Sequence, residues 1–591
     1  MHPYSSGFAK PIKAVLRARL WYVVVMMVLG VFLVRLFYLQ IIKHDYYRRV
    51  ANAGHLKEYE INAKRGVILA HDGNQTVPIV LDQTLYTIYA DPSIVKDPGR
   101  TAGTLHELFG GDSDDYEKKL RTKDTRYVVL ARKATKGQKD ALLTKKYPGI
   151  GAQEQQYRTY PNGALASQLL GFVNDDGAGV YGVEQALNKQ LSGTKGELKA
   201  VTDVRGVPLA ANTDNILIQP VSGSDVVLTV DMAMQKQLED ILKTGLDRAK
   251  ATQGSALIME ANTGAIKAMA NLPTFDPGNY ADVPDASVFT NAAASTPLEV
   301  GSVMKPLTAA AALQKGAIAA DAVHYDPAQY KIDGFTIRNI EEDGGGGDKS
   351  IADILNLSLN TGATWMLMRM SGSDDHITQA GRDYWYDFMT NKYRFGRQTG
   401  VEQGYEAPGI VPDPDNGYAR DLTYANTTFG QAMMATPLQM AAAYAAVLNG
   451  GTYYQPRLVD AYVSASGKTT AVAPKVVQKG VVSQRVSSEI TQLMQFTVQH
   501  HSFARGFDQN AYTVGGKTGT AQIADPKTGT YYGDKYNGTY VGFVGGAHAQ
   551  YVIVVVVNEP KVGGYAGTAA AQPVFGDLAH MLLDKFNVTP K

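Results

Sequence analysis

The chain has 591 residues, and at ~150 residues per domain that length predicts about four domains rather than one core. Lysine plus arginine number 57 against 56 aspartate plus glutamate, a net charge of +1, so no global basic field exists to draw in nucleic acid. At 45% hydrophobic and 19% charged the chain is neither a coiled coil nor a disordered tail, and the lack of cysteine excludes disulfides, thiolate nucleophiles and Cys-based zinc sites.

From Leu20 to Ile42 the sequence is apolar apart from Gly30, Arg35 and Gln40, a stretch of 23 residues where a spanning helix needs ~20. Arg35 lies near its far end, where a long stem snorkels to the interface. Lys10, Lys13, Arg17 and Arg19 precede the run, and no acidic residue appears before Asp45. That bias predicts cytoplasmic residues 1–19, a transmembrane helix over 20–42 and an exported remainder, although Lys43, Arg48 and Arg49 dilute it. No small-residue cleavage pattern follows the run, which favours an uncleaved anchor over a signal peptide.

Residues 45–225 read as a mixed, turn-rich, non-catalytic pedestal. Arg65–Gly66–Val67–Ile68–Leu69 is strand-like and ends in the turn signal His71–Asp72–Gly73–Asn74. Gly182–Val183–Glu184–Gln185 begins a helical pattern that closes at Gly193. A boundary near Gly223 opens a second domain over 226–591. Val226–Val230 is a predicted strand, and Asp231 caps a helix with Met234, Leu238, Ile241, Leu242 and Leu246 on one face. Ala256–Met259 and Ile266–Met269 form a predicted hairpin turning at Asn262–Thr263–Gly264. Tyr540–Val544 and Tyr551–Val557 are a late strand pair, so strands bracket a helical centre. The pattern predicts an α+β fold whose antiparallel sheet takes strands from both ends of one domain and is flanked by helices. Gly344–Gly347 marks a mobile loop.

Several chemical motifs fail on inspection. Gly467–Lys468–Thr469 and Gly516–Lys517–Thr518 lack the earlier glycine of a phosphate-binding loop, having Tyr462 and Ala511 there. Helix-based zinc spacing is absent, and the adjacent His500–His501 pair cannot face one ion from a helix. No metal and no cofactor are expected, and no G-x-S-x-G elbow occurs.

Serine with lysine remains. S-x-x-K occurs as Ser93/Lys96, Ser192/Lys195 and Ser302/Lys305, and chance predicts about two such motifs at average usage. Ser93 lies in a proline-bounded turn, and Ser192 is flanked by glycines. Ser302 opens a helix in which Pro306 is tolerated in the first turn, so Lys305 shares its face. A lysine acts as base once desolvation or a second cation lowers its pKa, and Lys517 is the candidate cation. K-T-G-T occurs at Lys517–Thr520, followed by an extended run, and at Lys527–Thr530, inside a predicted hairpin loop. The small residues Thr518, Gly519 and Thr520 allow a peptide to lie alongside as an added strand. Ser358–Leu359–Asn360 places a hydroxyl and an amide two residues apart at a helix end.

The order Ser302/Lys305, Ser358/Asn360, Lys517/Thr518/Gly519 is the serine–lysine acyl-transfer set, and the chain resembles the class B penicillin-binding proteins, bitopic D,D-transpeptidases of peptidoglycan synthesis. The resemblance extends to Arg65–Gly66, Arg158–Gly171, Gly182–Glu184, Phe429–Gly430–Gln431 and Thr436–Gln439. Val300 departs from it, since the family usually has proline before Gly-Ser. No glycosyltransferase-like module is read ahead of the pedestal, and no repeat modules after the last strand.

The resemblance implies that Ser302 is the nucleophile, Lys305 its base and Ser358 the proton shuttle to the leaving amine. It assigns a peptide carbonyl to Asn360 and the substrate carboxylate to Lys517, Thr518 and Thr520, beside Gly519. It implies stem peptides and β-lactams as ligands, and a membrane-embedded glycan polymerase and division proteins as partners at the bacterial cytoplasmic membrane. Asn360 points to the division type. An elongation-type enzyme, a D-Ala-D-Ala carboxypeptidase or β-lactam hydrolase, and a catalytically silent sensor or scaffold are the alternatives.

Overall fold

A computed structural model of the chain describes residues 12–47, 56–201, 216–340, 345–501, 503, 506–525, 527 and 530–591. Lys10, Arg48 and Arg49 of the charge pattern, Gly344, and Thr528 and Gly529 of the second K-T-G-T copy lie outside these residues. The chain divides into two compact units, residues 1–63 with 194–221, and residues 64–193 with 222–591.

The first unit contains a helix, Ile12–Phe37, that runs on into one wider turn, Tyr38–Ile42. Over Leu16–Ile42 it is the one helix among the described residues long and apolar enough to cross a membrane. Its large side chains are exposed all round, which water would penalise and lipid would not. The same unit holds a small antiparallel sheet of Leu56–Ile61, Gly196–Val201 and Ile216–Ile218.

In the second unit the strand Ile68–Asp72 turns through Gly73–Asn74 into the long strand Gln75–Ala90. Ile88, Leu105, Leu120, Leu130 and Leu142 form a local core between that sheet and three short helices. The strand Asp225–Asp231, at the predicted domain boundary, pairs in parallel with Ile68–Asp72 and antiparallel with Val459–Val463. Residues on either side of the boundary therefore share one sheet.

The second sheet is antiparallel, in the order Ile266–Leu272, Gln253–Glu260, Ala549–Asn558, Tyr531–Gly545, Thr513–Ala524. As the sequence predicts, it takes strands from both ends of the domain. Both faces are buried, which is why Val552–Val557 is apolar without alternation. Ala256, Ile258, Ile553 and Val555 pack on the helices Met232–Ala249 and Gln572–Lys585. Leu257, Met259, Val552 and Val554 face a larger core that includes the helices Lys305–Lys315, Asn360–Met370 and Pro437–Leu448. Asp231 caps the Met232–Ala249 helix by accepting the Met234 N–H at 2.9 Å. The strand Thr513–Ala524 is left at the sheet's outer edge.

Candidate active site

Ser302 stands at the junction between that edge strand and the central helices. Gly301 before it adopts φ +67, and a Cβ there would lie 2.8 Å from the Thr520 carbonyl oxygen, so only glycine fits. The sequence predicts one helix opening at Ser302. The structure instead has a 3₁₀ turn over Gly301–Met304, followed by an α-helix from Lys305 to Lys315. Pro306 is the reason: an α-helix would need its amide to bond the Ser302 carbonyl, and proline has none. The Lys305 N–H takes that carbonyl at the tighter spacing. With three residues per turn, residues i and i+3 eclipse, and Lys305 Nζ lies 3.0 Å from Ser302 Oγ.

Lys305 is fully buried. Its amine also lies 3.1 Å from Ser358 Oγ and 2.9 Å from Asn360 Oδ1, and it bonds the Ser358 carbonyl. The Phe429 ring centroid is 6.0 Å away. Ser358 joins the helices Ile351–Asn356 and Asn360–Met370 with φ +58, a left-handed conformation that costs about 1–3 kcal/mol in a non-glycine residue. In that conformation its carbonyl and its hydroxyl both reach Lys305. The Asn360 side-chain N–H donates to the Arg338 carbonyl at 3.3 Å.

Lys517 is 1% exposed on the edge strand, and its amine donates to the Thr518 carbonyl at 3.1 Å and to Thr518 Oγ1 at 3.3 Å. Backbone contact seats this strand on the Ser302 turn. A Cβ at Gly519 would lie 2.3 Å from Thr539 Oγ1 and 2.8 Å from the Val300 carbonyl oxygen. Thr539 Oγ1 donates to that same carbonyl at 2.8 Å. Thr520 Oγ1 accepts the Gly567 N–H at 3.0 Å, which leaves its own proton to donate. Ser302, Lys305, Ser358 and Asn360 thus form one hydrogen-bonded cluster, and Lys517 to Thr520 border it.

The competing motifs lie elsewhere. Ser93 Oγ donates to Asp91 at an exposed turn, and Lys195 pairs with Glu60 at 2.6 Å. Lys527 is exposed on the hairpin after the edge strand, where the Asp525 N–H bonds the Thr530 carbonyl at 2.7 Å. Two residues beside the cluster escaped the sequence reading. The Glu299 carboxylate accepts the Ala432 N–H at 2.9 Å and the Tyr531 hydroxyl at 2.8 Å. Burial pushes Glu299 above the ordinary carboxyl range, while these two hydrogen bonds pull it down. Its place three residues before Ser302 was the only available signal.

The family model described as the penicillin binding protein transpeptidase domain matches residues 254–580, and the penicillin-binding protein dimerisation domain matches residues 60–228. The penicillin-binding protein PbpB of Mycobacterium tuberculosis is 30% identical, over 97% of this chain and 85% of its own length. The peptidoglycan D,D-transpeptidase FtsI of Escherichia coli K12 is 26% identical, over 96% of this chain and 91% of its own. The crystal structure of penicillin binding protein 3 from Mycobacterium tuberculosis, complexed with aztreonam, superposes with a TM-score of 0.66 at 25% identity. That match covers 90% of this chain and 98% of the other. With its transpeptidase segment and its pedestal segment both matched in order, the chain belongs to the penicillin-binding protein transpeptidase family.

Proposed function

We propose that this chain is a peptidoglycan D,D-transpeptidase that cross-links stem peptides through a Ser302 acyl-enzyme, in septal wall synthesis during division. The observation that carries this reading is the Lys305 amine, buried and within 3.0 Å of one serine hydroxyl and 3.1 Å of another. One amine touching two hydroxyls can take a proton from the first and return it through the second. The division role rests on the likeness to FtsI.

In the forward step Lys305 takes the Ser302 hydroxyl proton as Oγ bonds the penultimate D-Ala carbonyl carbon. The backbone N–H groups of Ser302 and Thr520 hold the oxyanion, a contribution of about 3 kcal/mol per donor. The C–N bond to terminal D-Ala then breaks, and Ser358 passes the proton to the departing amine. Lys517, Thr518 and Thr520 hold the donor's terminal carboxylate, and the second hydrogen of the Asn360 amide meets a peptide carbonyl. An amine from a neighbouring stem next bonds the acyl carbon, the Oγ–C bond breaks, and Ser302 regains a proton. A β-lactam enters the first half of this path and stays attached.

The helix over 20–42 anchors the chain in the cytoplasmic membrane, with residues 1–19 in the cytoplasm. The pedestal over 45–225 then holds the transpeptidase domain of 226–591 on the outer side. A membrane-embedded glycan polymerase supplies the strands to be cross-linked.

Mass spectrometry of the penicillin-treated protein tests the reading. One covalent adduct on the peptide containing Ser302, lost in Ser302→Ala, is expected; an adduct surviving that change overturns it. Turnover of a stem-peptide donor with an added amine acceptor separates a transpeptidase from a carboxypeptidase.

A further inference from the structure

The helix that begins at Asn360 has no cap of its own. Leu359 occupies its N-cap position and carries no side-chain acceptor, so the first amides of Asn360–Met370 need partners from elsewhere. For Thr361 that partner is Asn339, the residue after a short hairpin of Gln329–Ile332 with Phe335–Arg338. Asn339 Oδ1 accepts the Thr361 N–H at 3.1 Å. Asn339 Nδ2 donates to Asp326 Oδ2 at 3.1 Å, and Thr361 Oγ1 lies 2.6 Å from the same carboxylate oxygen. Thr361 has one hydroxyl proton, and the carboxylate is a stronger acceptor than the Asn339 amide 2.9 Å away. The side chains of Asp326 and Asn339, with the hydroxyl and the backbone N–H of Thr361, therefore close a ring of donors and acceptors. The Ala328 N–H holds the other Asp326 oxygen at 2.7 Å.

This ring lies out of solvent, with Asp326 and Thr361 at 0% exposure and Asn339 at 9%. A buried carboxylate beside a helix N-terminus also meets the positive end of the helix dipole. One turn further on, Trp365 stacks on His324 with ring centroids 4.2 Å apart, a second tie between the helix and the strand Val323–Asp326 that ends in Asp326. The hairpin touches the catalytic cluster directly as well, because the Arg338 carbonyl accepts the Asn360 amide.

We propose that Asp326, Asn339 and Thr361 are positioning residues for acyl transfer. They cap the Asn360–Met370 helix from outside, and so fix Asn360 Oδ1 and the strained Ser358 against Lys305. The role rests on the function proposed above, since it acts through Lys305, Ser358 and Asn360. The ring acts on Ser358, which serves the chemical step, and on Asn360, which also meets a substrate carbonyl, so its loss should slow the chemical step more than it weakens the encounter with ligand.

The experiment is rapid-quench acylation of the full-length protein by a fluorescent penicillin, resolving the acylation rate constant from the prior dissociation constant. The thermal midpoint is measured in parallel on Thr361→Val, Asn339→Ala and Thr361→Ser. A displacement of the Ser358–Asn360 segment should lower the rate constant about tenfold or more in the first two, a larger change than in the dissociation constant. Thr361→Ser, which keeps the hydroxyl, should restore the rate to within about threefold. An unchanged rate constant per folded molecule, with only a lower midpoint, overturns the proposal and leaves the ring a purely structural cap. A loss confined to the dissociation constant, with the rate constant unchanged, overturns it too. If Thr361→Val does not fold, Asn339→Ala against Thr361→Ser makes the same comparison. Ser302→Ala, run alongside, separates the two readings: labelling that survives it defeats the acyl-enzyme, whatever the ring variants do.

Discussion

Glu299 and Tyr531 are 232 residues apart in sequence, and the Tyr531 hydroxyl lies 2.8 Å and 3.0 Å from the two Glu299 carboxylate oxygens. The contact ties the strand next to the edge strand to the turn that carries Ser302. Burial raises the Glu299 carboxyl above its ordinary range, so ionising it costs more in the folded protein than in the unfolded chain. The stability tied to this proton is complete below the unfolded pKa and is lost as pH rises through the folded one. Glu299→Gln keeps an acceptor for the Ala432 N–H and never ionises. The difference in thermal midpoint, variant minus native, should therefore be more positive at pH 7.5 than at pH 4.5. Midpoints measured at both pH values check this, and a difference that shrinks as pH rises would refute it.

The two K-T-G-T copies should differ sharply. Lys517 is buried on the edge strand, and Lys527 is exposed on the following hairpin. A charge-assisted hydrogen bond to a carboxylate is worth about 1.5–3 kcal/mol, so Lys517→Ala should slow acylation by about 10–100-fold. Lys527→Ala should leave it unchanged. Second-order labelling rates with a fluorescent penicillin decide the matter, and equal losses would show that strand context does not distinguish the copies.

A third expectation concerns the pedestal. Glu184 is fully buried and takes hydrogen bonds from Arg65 Nε at 2.8 Å and Arg158 Nε at 2.7 Å. Arg158 also pairs with Asp82 at 3.0 Å. Glu184→Ala would leave two buried guanidinium groups short of a counter-charge, which typically costs about 3–5 kcal/mol. Denaturant unfolding should register that loss, while the labelling rate per folded molecule stays near the native value. A change under about 1 kcal/mol would mean that water replaces the carboxylate.

The sequence made some of this visible and hid the rest for a consistent reason. Asp231 was readable as a cap because its acceptor serves an amide three residues on. Ser302 and Lys305 were readable because residues three apart share a helix face, although the 3₁₀ turn that brings them into register followed from Pro306 and was not foreseen. The Asn262–Gly264 hairpin and the late strand pair were readable from local turn chemistry and apolar runs. Glu184 with Arg65, and Asn339 with Thr361, are separated by 119 and 22 residues. Nothing in local spacing tells such a polar residue from a solvated one. The pairing of Asp225–Asp231 with Ile68–Asp72 was hidden in the same way, because parallel neighbours share no turn.

The closing of the edge strand onto the Ser302 turn gives the last prediction. Gly519 has ordinary backbone freedom, since no left-handed φ is needed there, so its lack of a side chain must answer to packing alone. A methyl group would lie 2.3 Å from Thr539 Oγ1 and 2.8 Å from the Val300 carbonyl oxygen, and 3.1 Å from a Val303 methyl. Thr539 cannot swing away without giving up its own bond to the Val300 carbonyl. The strand itself must move, carrying Lys517 and Thr520 away from Ser302. Overpacking of this kind costs about 1–3 kcal/mol, and a displacement near 1 Å at a reacting centre costs on the order of 100-fold in rate. Gly519→Ala should therefore cut the acylation rate far more than its modest loss of stability would suggest. Gly533→Ala is the matched control, on the neighbouring strand with nothing within 4 Å of the added carbon, and should change neither quantity. Labelling rates and thermal midpoints of the two variants check the contrast. If Gly519→Ala labels at the native rate, the strand does not depend on this contact to hold Lys517 and Thr520 beside Ser302.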